Sequence, residues 1–190
     1  MKQFLVGVGI VAAIALIAVG WIISQRNGLI ALDEDVNKAW SDVDTQLQRR
    51  MDLIPNLVST VKGYAAHEDS VFNGIAEARS KLAGAATPAA KAEADAALTA
   101  SLGRLLAIAE NYPELKANEN FIRLQDELAG TENRIAVARK RYNEIVKRYN
   151  MSIRQFPGSL FAGSLGMSSR EYFEPPQGHD AVVIAPKVQF

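Results

Sequence analysis

The side chains able to do acid–base, nucleophilic or metal chemistry are few in this sequence and poorly spaced for it. The two histidines, His67 and His179, stand far apart, and the absence of cysteine removes thiolate nucleophiles, thiolate metal sites and disulfides together. His67, Glu68 and Asp69 are consecutive. Neighbours on a helix point in different directions, so the three do not converge on a metal, and His67 reads as a solvated residue at a helix end. In "GSLFAGSLG" the glycines Gly158, Gly163 and Gly166 lack both the Gly-x-Gly-x-x-Gly spacing and a following Lys-Ser/Thr, which argues against a phosphate cradle. The serines of that stretch have no histidine base nearby in sequence. The expectation is a protein that is not an enzyme and uses no cofactor or metal.

Two polar constellations stand out instead. Arg49 and Arg50 lie about one turn before Pro55 and Asn56 directly after it, while Gln125, Glu127, Glu132, Asn133 and Asn143 accompany the apolar positions of a later segment. Buried charges need partners, so these residues are expected to form a polar network that fixes helix register, with Arg50 partly buried and paired to an acid or amide of the later segment. The alternative is a site for a small ligand or ion in the polar zone around Pro55.

The second constellation is basic. Between residues 133 and 156, Arg134, Arg139, Lys140, Arg141, Lys147, Arg148 and Arg154 face one acid, Glu144, whereas Asp33, Glu34, Asp35, Asp42 and Asp44 outnumber Lys38 between 30 and 44. Lys plus Arg and Asp plus Glu are both 21 overall, so charge is segregated along the chain and not in excess. Tyr142 and Tyr149 lie among the cations but fall on an apolar stripe. That assigns them to packing, and no nucleic-acid partner is expected. Arg134, Lys140, Arg141, Lys147, Arg148 and Arg154 are the candidate surface for a protein partner.

These residues are carried by long helices. Val36, Ala39, Val43, Leu47, Met51, Ile54, Val58, Val61 and Ala65 recur at steps of three or four, as do Phe121, Leu124, Leu128, Ile135, Ala138, Tyr142, Ile145, Tyr149, Ile153 and Phe156. Between them lies an alanine-rich helical arm carrying Phe72, Ile75, Leu82, Leu98, Leu102, Leu105 and Ala109, interrupted near Gly84 to Pro88. Each arm has one apolar face that must leave water, so an elongated antiparallel bundle is expected. Arms near 38 residues correspond to a rod of roughly 55 to 60 Å. Pro55 removes a helical N–H and clashes with the carbonyl of Met51, which predicts a bend or break there.

The chain opens with "FLVGVGIVAAIALIAVGWII", twenty uncharged residues from 4 to 23. At about 1.5 Å per residue they span about 30 Å, the hydrocarbon thickness of a bilayer. Trp21 sits where an interfacial aromatic belongs, and no polar stretch with a small-x-small site follows, so a retained span is expected in place of a cleaved signal. The positive-inside count sets Lys2 against Arg26 and Lys38 and assigns no side. Gly9 and Ala13 form a small-x-x-x-small pair. Together with the segregated charge and the apolar tail "AVVIAPKVQF", this pair suggests self-assembly into a homo-oligomer.

Two blocks are more particular than generic helix: "QRRMDLIPNLVSTVKGYAAHE" from 48 to 68, and "NYPELKANENFIRLQDELAGTENRIAVARKRYNEIVKRYNMSIRQFP" from 111 to 157. With "AW" at 39–40 and "YFE" at 172–174, they closely resemble the LemA family of bacterial membrane-anchored helical proteins, over about residues 28 to 174. The resemblance implies an all-α protein with one amino-terminal membrane segment, a helical bundle and no established enzymatic activity; some relatives are associated with magnetosome membranes, and some carry a lipoprotein signal. No cysteine follows the apolar run here, so lipid anchoring does not apply. The expected organisation is a transmembrane helix at 4–23 and a bundle at 28–156 of three long arms, or four helices if the middle arm counts as two. A short packing segment at 157–174 and an extended apolar tail at 175–190 complete it. The expected function is that of a single-pass scaffold or adaptor in the bacterial cell membrane, acting through self-assembly and protein partners.

Overall fold

A computed structural model describes residues 2–65 and 67–174. The apolar tail at 175–190 and His179 lie outside the described residues. Among the described residues there are helices and no strand: α1 (Lys2–Lys62), α2 (Asp69–Gly84), α3 (Pro88–Ala109), α4 (Pro113–Lys116), α5 (Glu119–Arg154) and α6 (Gly158–Ala162), then a 3₁₀ turn at Gly163–Leu165. No break separates the apolar run from the first amphipathic arm, since both belong to α1. Of the described residues, 2–39 and 144–170 form one compact unit, and 40–143 with 171–174 form another.

In the larger unit the helices meet through the apolar stripes. Val43, Leu47, Ile54, Leu57 and Val61 of α1 are fully buried, with Ile75 and Leu82 of α2, Leu98 and Leu105 of α3, and Phe121 of α5. Direction follows from the paired residues. Arg141 of α5 lies 4.0 Å from Asp42 and Glu132 lies 2.8 Å from Arg50, while Asn118, just before α5, donates to the Tyr64 hydroxyl at 3.1 Å, so α5 runs opposite to α1. The Asp44–Lys91 and Arg50–Asp95 pairs make α3 run with α1.

The middle arm divides where its residues require it. α2 ends at Gly84, and α3 starts with Pro88 in its first turn, where a missing N–H costs nothing; the Thr87 hydroxyl caps it by accepting from the Ala90 N–H at 3.2 Å.

α1 passes through Pro55 without ending, so of the two expected outcomes, a bend or a break, the break does not occur. The carbonyl that Pro55 leaves without a helical donor is that of Met51, and Arg79 of α2 supplies one, its Nε–H donating to Met51 O at 3.0 Å. Pro55 itself is exposed. Val58, Leu128, Ala138 and Phe156 leave the fully buried stripe. Leu57 is fully buried while Val58 is half-buried, and Phe156 is 77% exposed because α5 stops at Arg154 and its periodicity stops with it. Tyr142 and Tyr149 are both buried. Trp40 packs between two partners, its ring 5.3 Å from Tyr142 and 6.2 Å from Phe173.

The smaller unit packs Leu29 and Val36 of α1 with Ile145, Val146, Tyr149 and Ile153 of α5. Its apolar run, residues 4–23, is exposed throughout, and α1 is the one helix among the described residues long and apolar enough to cross a membrane.

After α6 the chain turns at Gly166, whose φ of +66° favours glycine, and returns along α5. In the smaller unit Asn150, itself buried, accepts from the Arg170 N–H and donates to the Arg170 carbonyl, both at 2.9 Å. In the larger unit Asn143 does the same for Phe173, at 2.8 and 3.3 Å. Each side-chain amide thus pairs with both main-chain groups of one residue, as a neighbouring strand would.

Candidate functional site

The most developed polar cluster is built around Arg50, on the core side of α1. Arg50 is 5% exposed. Nη1 donates to Asp95 Oδ1 at 2.7 Å and lies 2.8 Å from Glu132 Oε2, and Nη2 donates to Thr99 Oγ1 at 3.0 Å. Thr99 in turn donates to the Asp95 carbonyl at 2.9 Å, one turn back along α3. One cation from α1 is therefore held by a buried acid and a hydroxyl from α3 and by a half-exposed acid from α5. The planar, fixed fork of arginine suits three partners in different directions better than an ammonium would.

Beside the cluster runs an open groove of about 510 Å³, lined by Leu57, Leu102, Leu106, Gln125 and Leu128 together with Arg50 and Glu132. It is mainly apolar, with Arg50, Asp126 and Glu132 as its charged lining, and so accommodates an amphipathic segment or a small amphipathic molecule.

Burial dominates the electrostatics of Asp95. It pushes the carboxyl above its ordinary value of 3.8 and Glu132 adds to the rise, while Arg50 and Arg139 oppose it. The folded chain thus holds a proton on Asp95 at a pH where the unfolded chain has released it, and the contribution of this group to stability falls as pH rises through that window. Asp95→Asn removes the titration. The stability of the natural chain minus that of Asp95→Asn is expected to decline as pH rises from 3.8 towards the folded-state value and to level off above it. Denaturant unfolding of both chains from pH 3 to pH 8 reads this, and a difference independent of pH would contradict it.

The other sequence candidates lie elsewhere. Arg49, Asn56, Glu127 and Asn133 are exposed and make no part of the Arg50 cluster. A helix turns about 100° per residue, so Arg49 and Arg50 cannot face the same core. Gln125 is half-buried and lines the groove. Asp95 and Thr99 are the partners that reading along the sequence omitted. A signal was present, because Asp95 falls on the stripe of Leu98, Leu102, Leu105 and Ala109, where an acid has to find a cation.

The basic residues of α5 are all exposed. Arg134, Lys140 and Arg141 belong to the larger unit, and Lys147, Arg148 and Arg154 to the smaller. In the larger unit Arg134, Val137, Ala138 and Arg141 share one face of α5 and line a shallow groove of about 370 Å³ with Asp42, Gln46 and Asn133. Val137 is 70% exposed at its centre. The Gln46 Oε1 is buried there without a hydrogen-bond partner, the one such side-chain atom among the described residues.

Comparison with known proteins adds an independent line. The LemA family profile matches residues 39–190. Magnetosome protein MamQ 2 of Paramagnetospirillum magneticum is 26% identical over 207 residues, covering 95% of this chain and 75% of that protein. Magnetosome protein MamQ of Magnetospirillum gryphiswaldense is 26% identical over 212 residues, covering 98% and 77%. Protein LemA of Metamycoplasma hominis is 23% identical over 153 residues, covering 80% and 70%.

Proposed function

The chain belongs to the LemA family, and from that premise we propose that it is a single-pass scaffold or adaptor of the bacterial cell membrane, anchored by residues 4–23 and acting through self-assembly and protein contacts. The relatives named MamQ are magnetosome proteins, and the matching setting for this chain is the membrane that its own apolar helix enters. The observation that carries the adaptor reading is the surface of α5 in the larger unit. An exposed Val137 stands between Arg134 and Arg141, with the unpaired Gln46 carbonyl beside it. An exposed aliphatic centre with a charged rim is how protein interfaces are commonly built, and the unpaired acceptor asks for a donor from outside. The partner that fits is an acidic segment with one apolar anchor, either on a second copy or on another membrane protein.

Photo-crosslinking from position 137 of the full chain in its native membrane tests this. A discrete protein adduct that disappears in Arg134→Glu/Arg141→Glu is expected. The same adduct in the charge-reversed chain, or none in either, would remove this surface from the adaptor reading.

A second reading has its own observation in the groove that Arg50 helps to line. It makes the chain a binding module for a small amphipathic ligand, and it predicts that Leu102→Trp blocks ligand uptake while leaving the position-137 adduct intact.

A further inference from the structure

Within the smaller unit, the loop after α5 descends alongside α1 and comes back. Gly158 packs at the level of Leu29, the Phe161 ring stands edge-on to Trp21 with centroids 6.4 Å apart, and Arg170 returns to Asp33 with an ion pair of 2.8 Å. The neck of this loop is fixed by the Asn150 pairing of Arg170 and by Arg154, which donates to Ser169 Oγ at 2.9 Å. Its lowest described contact therefore reaches the last turn of the apolar run, at the residue that marks the edge of the hydrocarbon. Asp33 lies twelve residues further along α1, about 18 Å away.

The composition of the loop matches that level. From Gln155 to Ser169 there is no charged residue, and Arg154 and Arg170 flank the stretch. Phe156 is 77% exposed and Leu160 64% exposed. Beside the end of a membrane span, an uncharged loop with exposed aromatic and aliphatic side chains is what the interfacial layer accepts.

We propose that residues 156–165 form a second membrane contact, a foot that inserts Phe156 and Leu160 into the interfacial layer of the same bilayer that α1 spans. The occupant of this apolar surface is lipid. Continuity with the apolar run through the Trp21–Phe161 contact and the missing charges both point to it. The inference rests on residues 4–23 being a span, and the test separates the two.

The chain has no cysteine, so single-cysteine variants of the full chain, reconstituted in phosphatidylcholine–phosphatidylglycerol vesicles, carry one environment-sensitive fluorophore each. Ile14→Cys reports the span, Phe156→Cys and Leu160→Cys report the foot, and Met151→Cys serves as the control. Met151 is also exposed, at 45%, but sits beside Asn150 at the level of Arg170 and Asp33. The expected result is deep nitroxide-lipid quenching at 14, blue-shifted emission with shallow nitroxide-lipid quenching at 156 and 160, and aqueous iodide quenching at 151. Deep quenching at 14 with iodide quenching at 156 and 160 would overturn the foot and leave the span standing. Iodide quenching at 14 would overturn both. Copy-to-copy crosslinking at position 160 without lipid quenching would hand the surface to a second copy and also overturn the proposal.

Discussion

Arg50→Ala is expected to lower the stability of the larger unit by about 3 to 5 kcal/mol, the usual cost of removing one partner from a buried ion pair. Asp95, 8% exposed, would be left without its cation, and Thr99 would lose an acceptor role that no other described group fills. Glu132 suffers less, since its side chain is 49% exposed and can turn to water. Urea unfolding of the full chain in detergent, followed by far-ultraviolet circular dichroism, measures the loss. Arg50→Met combined with Asp95→Leu is expected to recover most of it, because replacing both buried charges by apolar groups avoids the unpaired carboxylate. A single-site effect under about 1 kcal/mol would put the cluster with the solvent-screened surface pairs. A double variant no better than the single one would locate the cost in lost packing instead of lost pairing.

Gly158→Ala is expected to release the loop at the base of the smaller unit. A Cβ on Gly158 would lie 2.0 Å from the carbonyl oxygen of Ser152 and 3.1 Å from its carbonyl carbon, both main-chain atoms that cannot rotate away, with Leu29 at 3.4 Å on another side. Main chain must move, at the upper end of the cost of overpacking, about 3 kcal/mol or roughly a hundredfold in local opening. Amide exchange in 156–170 should accelerate by that order while α2 and α3 keep their protection. Gly163→Ala provides the comparison. It has helical angles, φ −61° and ψ −42°, and nothing within 4 Å of its Cβ, so it should be neutral or slightly stabilising. Equal exchange in the two variants would show that the close approach at Gly158 is not what holds the loop.

The helices were legible because an apolar stripe at steps of three and four has few other interpretations. Arg50 was legible for the same reason, as a charge beside such a stripe. Asp95 carried a fainter signal, because α3 is rich in alanine on every side and its stripe has little contrast against the rest of the helix. Arg79 was hidden for a different reason: its role exists only because Pro55 frees a carbonyl one helix away. Gly158 depends on a tertiary approach that no local pattern announces. Phe156 was misplaced by continuing a period past the end of the helix that produced it.

Asn143 and Asn150 are seven residues apart on α5, and each grips only the N–H and C=O of the residue it holds. Every residue except proline carries those two groups, so neither grip reads which side chain stands at 170 or 173. The address of the returning segment is therefore written on the helix and not on the segment. Side chains at 170 and 173 are free to be chosen for other duties, an ion pair with Asp33 in one case and a ring against Trp40 in the other. Drift in the segment should be tolerated wherever drift in the two asparagines is not. An aspartate at either position keeps the shape of the amide but turns its donor into a second acceptor facing a carbonyl. Spontaneous deamidation of Asn143 or Asn150 would thus act as a slow chemical clock on the attachment of this segment.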